Sequence, residues 1–450
     1  MTVVSLGDSV GMSASQPINA APPGPSTPVR SGLVTPLQIH TVRRQFPALG
    51  RLVDGRPAIY VDGPGGTQVP SSVIEAMAGY LGRGGSNVGG PFVTSRETAA
   101  VVEDARSAVA DLLNAESDEI AFGQNMTSIT FSMSRALGAT WDPGDNIVVT
   151  HLDHDANVWP WVLAARDASV EVRWADFAVS DGWDLDLEGL GELLDARTRL
   201  VAVTRASNAL GTLVDVKAVA MLAHGVGALV YVDSVHYTPH GPIDVADWDC
   251  DFLVCSAYKF FGPHTGCLYG RASLLDKTDA FRIRPAPSLG PGKWETGTQS
   301  FESLAGVLAA VDYLASLGKG PDRRTRIESA MEAIGQYESD LSQRFLDGLA
   351  SIPGARLYGR DGADGRTPTF AIEFEGRVPQ GVAAALGEMG IFVWSGDYYA
   401  FEVMTRLDKQ PDGLVRVGFV HYNTEEEVDR VLESLANLQR LPPPRGRWPD

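Results

Sequence analysis

Lys259 is the single formally charged side chain in FLVCSAYKFFGPHTGCLYG (252–270), with apolar and aromatic residues on both sides. A buried ammonium is costly unless it is paired or has lost its proton. A lysine in such a setting points to an amine kept for chemistry. Other reactive or polar residues follow apolar runs along the chain. Asp233 closes ALVYVD, and His236 stands three residues on. His154 lies in HLDHDANVWPW, after NIVVT, and Asn208 lies in RASNALGT, after LVAVT. Ser256 and Tyr258 directly precede Lys259, while Met126 and Thr127 occupy GQNMTS, a polar turn opening a helix. A lone aspartate at a strand end is commonly a cap and a lone histidine commonly structural. The inference therefore rests on the set, which recurs after successive strands.

The set matches the needs of one cofactor, pyridoxal 5'-phosphate. Lys259 can form a Schiff base if its pKa is depressed. Asp233 can keep a pyridine nitrogen protonated, so that the ring serves as an electron sink. His154 supplies a flat partner for the ring. Met126-Thr127, at a helix start, together with Ser256 and Tyr258, can donate to a phosphate. HLDHD has metal-like residue types, but no cysteines lie nearby and no third ligand follows at a recognised spacing, so no metal is expected. GPGGT (63–67) and GRGGSNVGG (82–90) match neither a Walker nor a dinucleotide fingerprint. They read as turns shaping the substrate mouth, where Asn87 is a candidate substrate contact.

The elements that must position these residues follow from the patterning. AIYVD, NIVVT, VEVRW, LVAVT, ALVYVD, FLVCS and GCLYG are short, apolar strand-like runs, most of them separated by helix-length segments. SSVIEAMAGYL and ETAAVVEDARSAVADLLN have helical spacing. Such alternation predicts an α/β fold with a mostly parallel sheet and helices on both faces. In open sheets of this kind, ligands bind beyond the carboxyl ends of the strands, where the candidates cluster. After RIESAMEAIGQYESDLSQRFLDGLASI the texture becomes α+β: strands in TPTFAIEFEG, IFVWSG and GLVRVGFV, and helices in VPQGVAAALGEMG and TEEEVDRVLESLANL. The expected organisation is a disordered tail at 1–35, a large domain at 36–310, a small C-terminal α+β domain at 311–440 and a tail at 441–450. The N-terminal segment of the large domain is expected to contribute to the small one.

Composition narrows the partners. The formal net charge is −19, which disfavours nucleic acid and anionic membrane surfaces. No apolar run reaches the roughly 18 residues a spanning helix needs. The three cysteines, Cys250, Cys255 and Cys267, show no disulfide-like spacing and suit a reducing cytoplasm. Cys255 and Cys267 read as small core hydrophobes. A soluble cytoplasmic enzyme with a small-molecule substrate is expected.

With these residues in place, YVDSVHYTPHGPIDVADWDCDFLVCSAYKFFGPHTGCLYG resembles the cofactor-lysine segment of the class V aminotransferase family, and within it the cysteine desulfurase group. DHDANVWPW, SNALGT, WETGTQS and VRVGFVHYNTEEEVDRV are similar to further family motifs, in the family's order. The resemblance spans about residues 40 to 440. It implies fold type I, with a mostly parallel seven-stranded sheet in the large domain, and a homodimer with active sites at the interface. It implies that Lys259 carries the cofactor, Asp233 pairs with the pyridine nitrogen and His154 stacks on the ring. Asn208 and His236 would lie near the ring oxygen. Met126, Thr127, Ser256 and Tyr258 would hold the phosphate, and Thr298 would reach the neighbouring subunit's phosphate. Arg416 would clamp the substrate carboxylate through its bidentate fork.

One stretch departs from the pattern. The desulfurases carry a loop Arg-x-Gly-x-x-Cys-Ala whose cysteine accepts sulfur. Here the aligned stretch is WSGDYYAFEVM (394–404), with Trp394 for the arginine and Tyr399 for the cysteine. A phenol cannot form a persulfide. The expected reaction is β-elimination by a carbon–sulfur lyase without a protein persulfide. An epimerase similar to isopenicillin N epimerase, or an aminotransferase, starts from the same carbanion; a non-catalytic scaffold is the remaining alternative. Tyr398, Tyr399 and Asp397 are candidates for a second acid or for simple packing over the substrate. Trp394 suggests a bulkier or less anionic substrate than the desulfurases take.

Overall fold

The computed structural model describes residues 37–179 and 182–440. The tails expected at 1–35 and 441–450 lie outside the described residues. Apolar runs, most of them rich in valine, favour extended backbone because branched and aromatic side chains pack well on a pleated surface. They form β1 (Ile120–Gly123), β2 (Asn146–Thr150), β3 (Glu171–Ala175), β4 (Thr198–Thr204), β5 (Leu229–Asp233), β6 (Phe252–Ser256) and β7 (Gly266–Gly270). These seven build one sheet in the order β1-β7-β6-β5-β4-β2-β3. The pairings among β6, β5, β4, β2 and β3 are parallel, and β7 is antiparallel to both β6 and β1. The sheet is therefore mixed and mostly parallel.

Alternate residues of the strands enter two different cores. Val148, Val201, Val203, Val230, Val232 and Leu253 face one side, and Ile147, Val149, Leu200, Ala202, Tyr231 and Val254 the other. Both faces are thus apolar, which explains the unbroken hydrophobic runs. Cys255 and Cys267 are register partners across β6 and β7 and are wholly buried.

Helices α1 (Ser71–Arg83), α2 (Val93–Leu113), α3 (Met126–Gly138) and α4 (Trp159–Ala168) join α5 (Phe301–Ser316) around this sheet. Asn125 caps α3, its Oδ1 accepting the Ser128 N–H at 2.9 Å. The long α6 (Arg323–Leu349) then leads to a second sheet of β8 (Ala355–Tyr358), β9 (Thr369–Phe374), β10 (Trp394–Gly396) and β11 (Leu414–Gly418). Its order is β8-β9-β11-β10, all antiparallel. The core between this sheet, α6 and α7 (Glu425–Arg440) is mainly aliphatic and includes the pair Phe345 and Phe370, 4.6 Å apart between ring centroids.

Two sequence expectations need correction. IFVWSG does not form one strand. Ile391–Phe392 pairs in parallel with Ile59–Tyr60, whereas Trp394–Gly396 pairs with β11. The chain changes partners at Val393 because two different strands flank it. AIYVD consequently lies outside the seven-stranded sheet, and Ile120–Gly123, too short to stand out by pattern, takes its edge. No helix among the described residues is long and apolar enough to cross a membrane.

Candidate active site

The carboxyl ends of β2, β4, β5 and β6 open on a cavity of about 700 Å³. Lys259 enters it from a 3₁₀ turn, Ala257–Lys259, directly after β6. Its Nζ donates to the Pro64 carbonyl and stands 5.1 Å from the Tyr258 ring centroid. Burial pulls the amine's pKa down to about 7, and the Arg416 guanidinium pulls the same way against Asp233 and Asp62. Near neutral pH a large share of Nζ is therefore unprotonated and nucleophilic.

Asp233 ends β5 with its Oδ1 accepting the Val235 N–H at 2.8 Å. Burial pushes its carboxyl up to about 6, opposed by that N–H and by Lys259. His154 caps the turn Asp155–Asn157, its Nδ1 accepting the Ala156 N–H at 3.0 Å. The neutral ring therefore carries its proton on Nε2. Burial, then Lys259 and Arg416, take its pKa down to about 3, so it stays neutral. His236 Nε2 lies 3.0 Å from both the Thr367 and Thr369 hydroxyls, and burial keeps this imidazole neutral too.

Arg416 projects from β11 and is only 5% exposed. One guanidinium nitrogen donates to the Asn208 carbonyl at 2.9 Å, and the group lies 4.4 Å from the Tyr398 ring centroid. Asn208 Nδ2 donates to the Tyr398 carbonyl at 2.9 Å. The Tyr398 hydroxyl donates to the Leu414 carbonyl, so it is committed to holding its own loop. Tyr399 stacks on His154, with ring centroids 5.7 Å apart, and its carbonyl accepts the Asp155 N–H at 2.7 Å. Tyr398 and Tyr399 both have φ of 56°, an unusual pair of left-handed residues without glycine.

The cavity brings together Lys259, Asp233, His154, His236, Asn208, Met126, Thr127, Tyr258, Arg416, Trp394, Tyr398 and Tyr399. Ser256 lies beneath the lining, where its Oγ accepts the Met126 N–H at 3.0 Å. Thr298 lines a separate cavity with Asn125 and His264, and Asn87 sits on an exposed loop away from both. Of the glycine-rich stretches, Pro64 and Gly65 of GPGGT reach the cavity and GRGGSNVGG does not. A Cβ at Gly65 would run into the Trp394 indole, which fixes the close approach of the two segments.

Sequence reasoning missed Asp62, at the end of AIYVD. One of its carboxylate oxygens is buried with no hydrogen-bond partner. Burial raises its pKa to about 6, while Arg416 and Lys259 oppose the rise, which marks it as a neighbour of both. The strand-end signal used for Asp233 would have found it. Trp159, Phe131 and Asp155 also line the cavity. Asn157 is structural: it donates to Asp153 at 2.6 Å and accepts from the Trp161 indole at 3.3 Å.

Two more buried polar atoms of the lining residues, Asn208 Oδ1 and Arg416 Nε, have no protein partner. Buried polar atoms require partners. A bound group offering a donor and an anionic acceptor suits them. With a partly neutral lysine, a buried carboxylate and a neutral stacking imidazole, the residues fit pyridoxal 5'-phosphate and an amino acid. Among the described residues no cluster of histidine, cysteine or carboxylate side chains suits a metal ion.

Comparison with known proteins places the chain in a family. The sequence profile described as aminotransferase class-V matches residues 59–431. A cysteine desulfurase of Pectobacterium atrosepticum is 34% identical over 90% of this chain and 98% of its own. The aminotransferase-like protein FGM3 of Gibberella zeae is 34% identical over 88% of this chain and 97% of its own. Among solved structures, an apo cysteine desulfurase from Thermococcus onnurineus superposes with a TM-score of 0.81 at 27% identity, covering 90% of this chain and 99% of that one. The Escherichia coli cysteine desulfurase CsdA gives 0.78 at 26% identity, covering 90% and 98%.

Proposed function

The chain belongs to the class V aminotransferase family of pyridoxal 5'-phosphate enzymes, and from that premise we propose that it is a β-eliminating carbon–sulfur lyase acting on an amino acid without a protein persulfide. Its fold is the fold type I of those enzymes. The observation that carries the reading is the loop from 394 to 400. Tyr399 stands where the desulfurase-like group carries its sulfur acceptor, and no cysteine is among the residues lining the cavity. Cys250, Cys255 and Cys267 are buried elsewhere. Burial raises the Cys250 thiol; the contact with Cys255, and then burial, raise that of Cys267. Neither forms a thiolate readily.

When bound, the cofactor supplies an electron sink that makes a substrate α-proton removable. The chain's own residues do the rest. Arg416 binds the α-carboxylate, and its contacts with Tyr398 and Asn208 aim it. Asp233 would hold a proton on the pyridine nitrogen, and His154 would cover the ring. Thr127, at the start of α3, would take the phosphate together with Tyr258; the Met126 N–H is spent on Ser256 Oγ, so Met126 and Ser256 would shape the phosphate end from beneath. Lys259 Nζ accepts the α-proton. The β carbon–sulfur bond then breaks, and the leaving thiolate takes a proton from Lys259 Nζ or from the Tyr399 hydroxyl. The carbon product, 2-aminoacrylate, is hydrolysed by water to pyruvate and ammonium. Atoms balance as thioether amino acid plus water giving thiol, pyruvate and ammonium.

A homodimer completes the reading. Thr298 is separated from the chain's own cavity, as a residue serving a neighbour's phosphate would be. Ile74, Leu81, Phe92, Phe281, Ile283 and Leu289 are exposed apolar side chains suited to a subunit interface. The buried free thiols suit the cytoplasm. The deciding experiment incubates the holoenzyme with cysteine derivatives in deuterated water. Pyruvate and free thiol are the expected products. Deuterium at the α-carbon without keto acid would replace elimination by epimerisation, and conversion of the cofactor to its amine form would replace it by transamination. Absence of any cofactor absorbance in the loaded protein would leave only a scaffold.

A further inference from the structure

The mouth of the cavity carries charge that the proposed elimination does not use. Asp155 and Asp397 line it, and Glu402 lies close enough to affect Asp155. All three are half-buried. Asp397 Oδ1 accepts the Tyr399 N–H at 3.0 Å, and Glu402 reaches His151 at 3.3 Å. Asp155 and Asp397 have no lysine or arginine partner among the described residues, in contrast to Asp176, which pairs with Arg406. Burial and the like charges of Glu402 and Asp397 raise the Asp155 pKa, and no cation counters them. Around these carboxylates stand aromatic faces: Trp159 is 50% exposed and Tyr399 74%. Exposed aromatic faces beside unpaired carboxylates form a receptor for a cation.

The difference in burial across the cavity orients the ligand. Arg416 and Asn208, 5% and 8% exposed, each keep a polar atom without a protein partner. They suit the amino-acid end at the buried floor, which leaves the substrate's side chain to the more exposed mouth, where Trp159 and Tyr399 stand with Asp155 and Asp397. With 56 acidic against 37 basic residues, the whole chain also draws cations.

We propose that the substrate is an S-substituted cysteine whose sulfur substituent ends in a cation, an ammonium or a guanidinium, held by Asp155, Asp397 and the faces of Trp159 and Tyr399. This rests on the elimination reading above and adds the chemistry of the leaving group. Three probes of matched length test it on the holoenzyme: S-(2-aminoethyl)-, S-propyl- and S-carboxymethyl-L-cysteine. Dissociation constants come from the change in cofactor absorbance, and pyruvate is measured in parallel. The aminoethyl compound should bind about tenfold tighter than the propyl one, with the carboxymethyl compound weakest. In the double variant Asp155→Asn, Asp397→Asn the ratio should fall to about threefold or less. Equal affinities, an anionic preference, or a cationic preference that survives in the double variant would overturn the proposal. Charge-blind binding with pyruvate release overturns the proposal and leaves elimination standing. Cationic preference without pyruvate supports the cation pocket at Asp155 and Asp397 but removes elimination, and with it the cation's place on a leaving group. No response to any probe overturns both.

Discussion

Arg416 acts in two ways at once. It offers an anchor for a carboxylate, and its charge, second only to burial, holds the Lys259 amine near a pKa of 7. The amine reacts when unprotonated, so capture of pyridoxal 5'-phosphate by the apo protein should accelerate as pH rises through about 7. In Arg416→Met the cation is gone, the amine's pKa rises, and the midpoint of that profile should move to higher pH. Stopped-flow absorbance at several pH values reads both. An unmoved midpoint would show that burial alone sets the amine. The same variant should raise KM for amino-acid substrates roughly 10- to 100-fold, because a charge-assisted pair is lost.

At this scale much of the site was legible. Lys259, Asp233 and His154 stood out because their types are costly in apolar surroundings, and apolar runs announce burial. Asp62 was overlooked although it ends the apolar run AIYVD, the same strand-end signal that marked Asp233. Asn87 shows the opposite limit, since it lines neither cavity. Residue type suggests a role, but the cavity a loop reaches depends on packing between segments far apart in sequence.

Among the elements, the antiparallel pair β10–β11, joined through 397–413 and the helix Phe401–Arg406, carries the most consequence, since it brings both Trp394 and Arg416 to the cavity. The connection closes at Gly413, at φ +65°, where an added Cβ would stand 2.6 Å from the Gly396 Cα. The obstacle is backbone and cannot rotate away. Gly413→Ala should therefore destabilise the protein by about 2 kcal/mol or more, read as a lowered Tm, and weaken amino-acid binding through displaced Arg416. Retention of both Tm and affinity would mean the pair re-registers without loss. Helices and long strands were readable from periodicity. The division of IFVWSG was not, because six apolar and small residues carry no mark of which sheet each half will join. The edge strand Ile120–Gly123 escaped for a related reason: four residues are too few for a period to emerge.

For the whole molecule, subunit association is the property most open to test. Light scattering should give twice the mass of one chain. Substituting Phe281→Asp and Ile283→Asp together, both exposed here, should shift the protein towards monomer and lower cofactor retention. A monodisperse monomer that keeps its cofactor would refute the shared interface. The alternation of strand and helix foretold the mostly parallel sheet, since each strand's two apolar faces demand cover from both sides. A subunit contact would carry no such signature, because exposed apolar residues look the same in sequence as buried ones.

The short pairing of Ile59–Tyr60 with Ile391–Phe392 has a mechanical meaning. Asp62 also bridges to Gly418, two residues beyond Arg416, and Pro64 follows with the carbonyl that accepts the Lys259 proton. The strand Ile59–Tyr60 is thereby riveted to the smaller sheet, and its tail latches the lysine of the larger one. A swing of the smaller sheet away from the larger would draw Arg416 and the Pro64 carbonyl outward on one lever. Release of the substrate's carboxylate and unlatching of the lysine amine would be a single stroke.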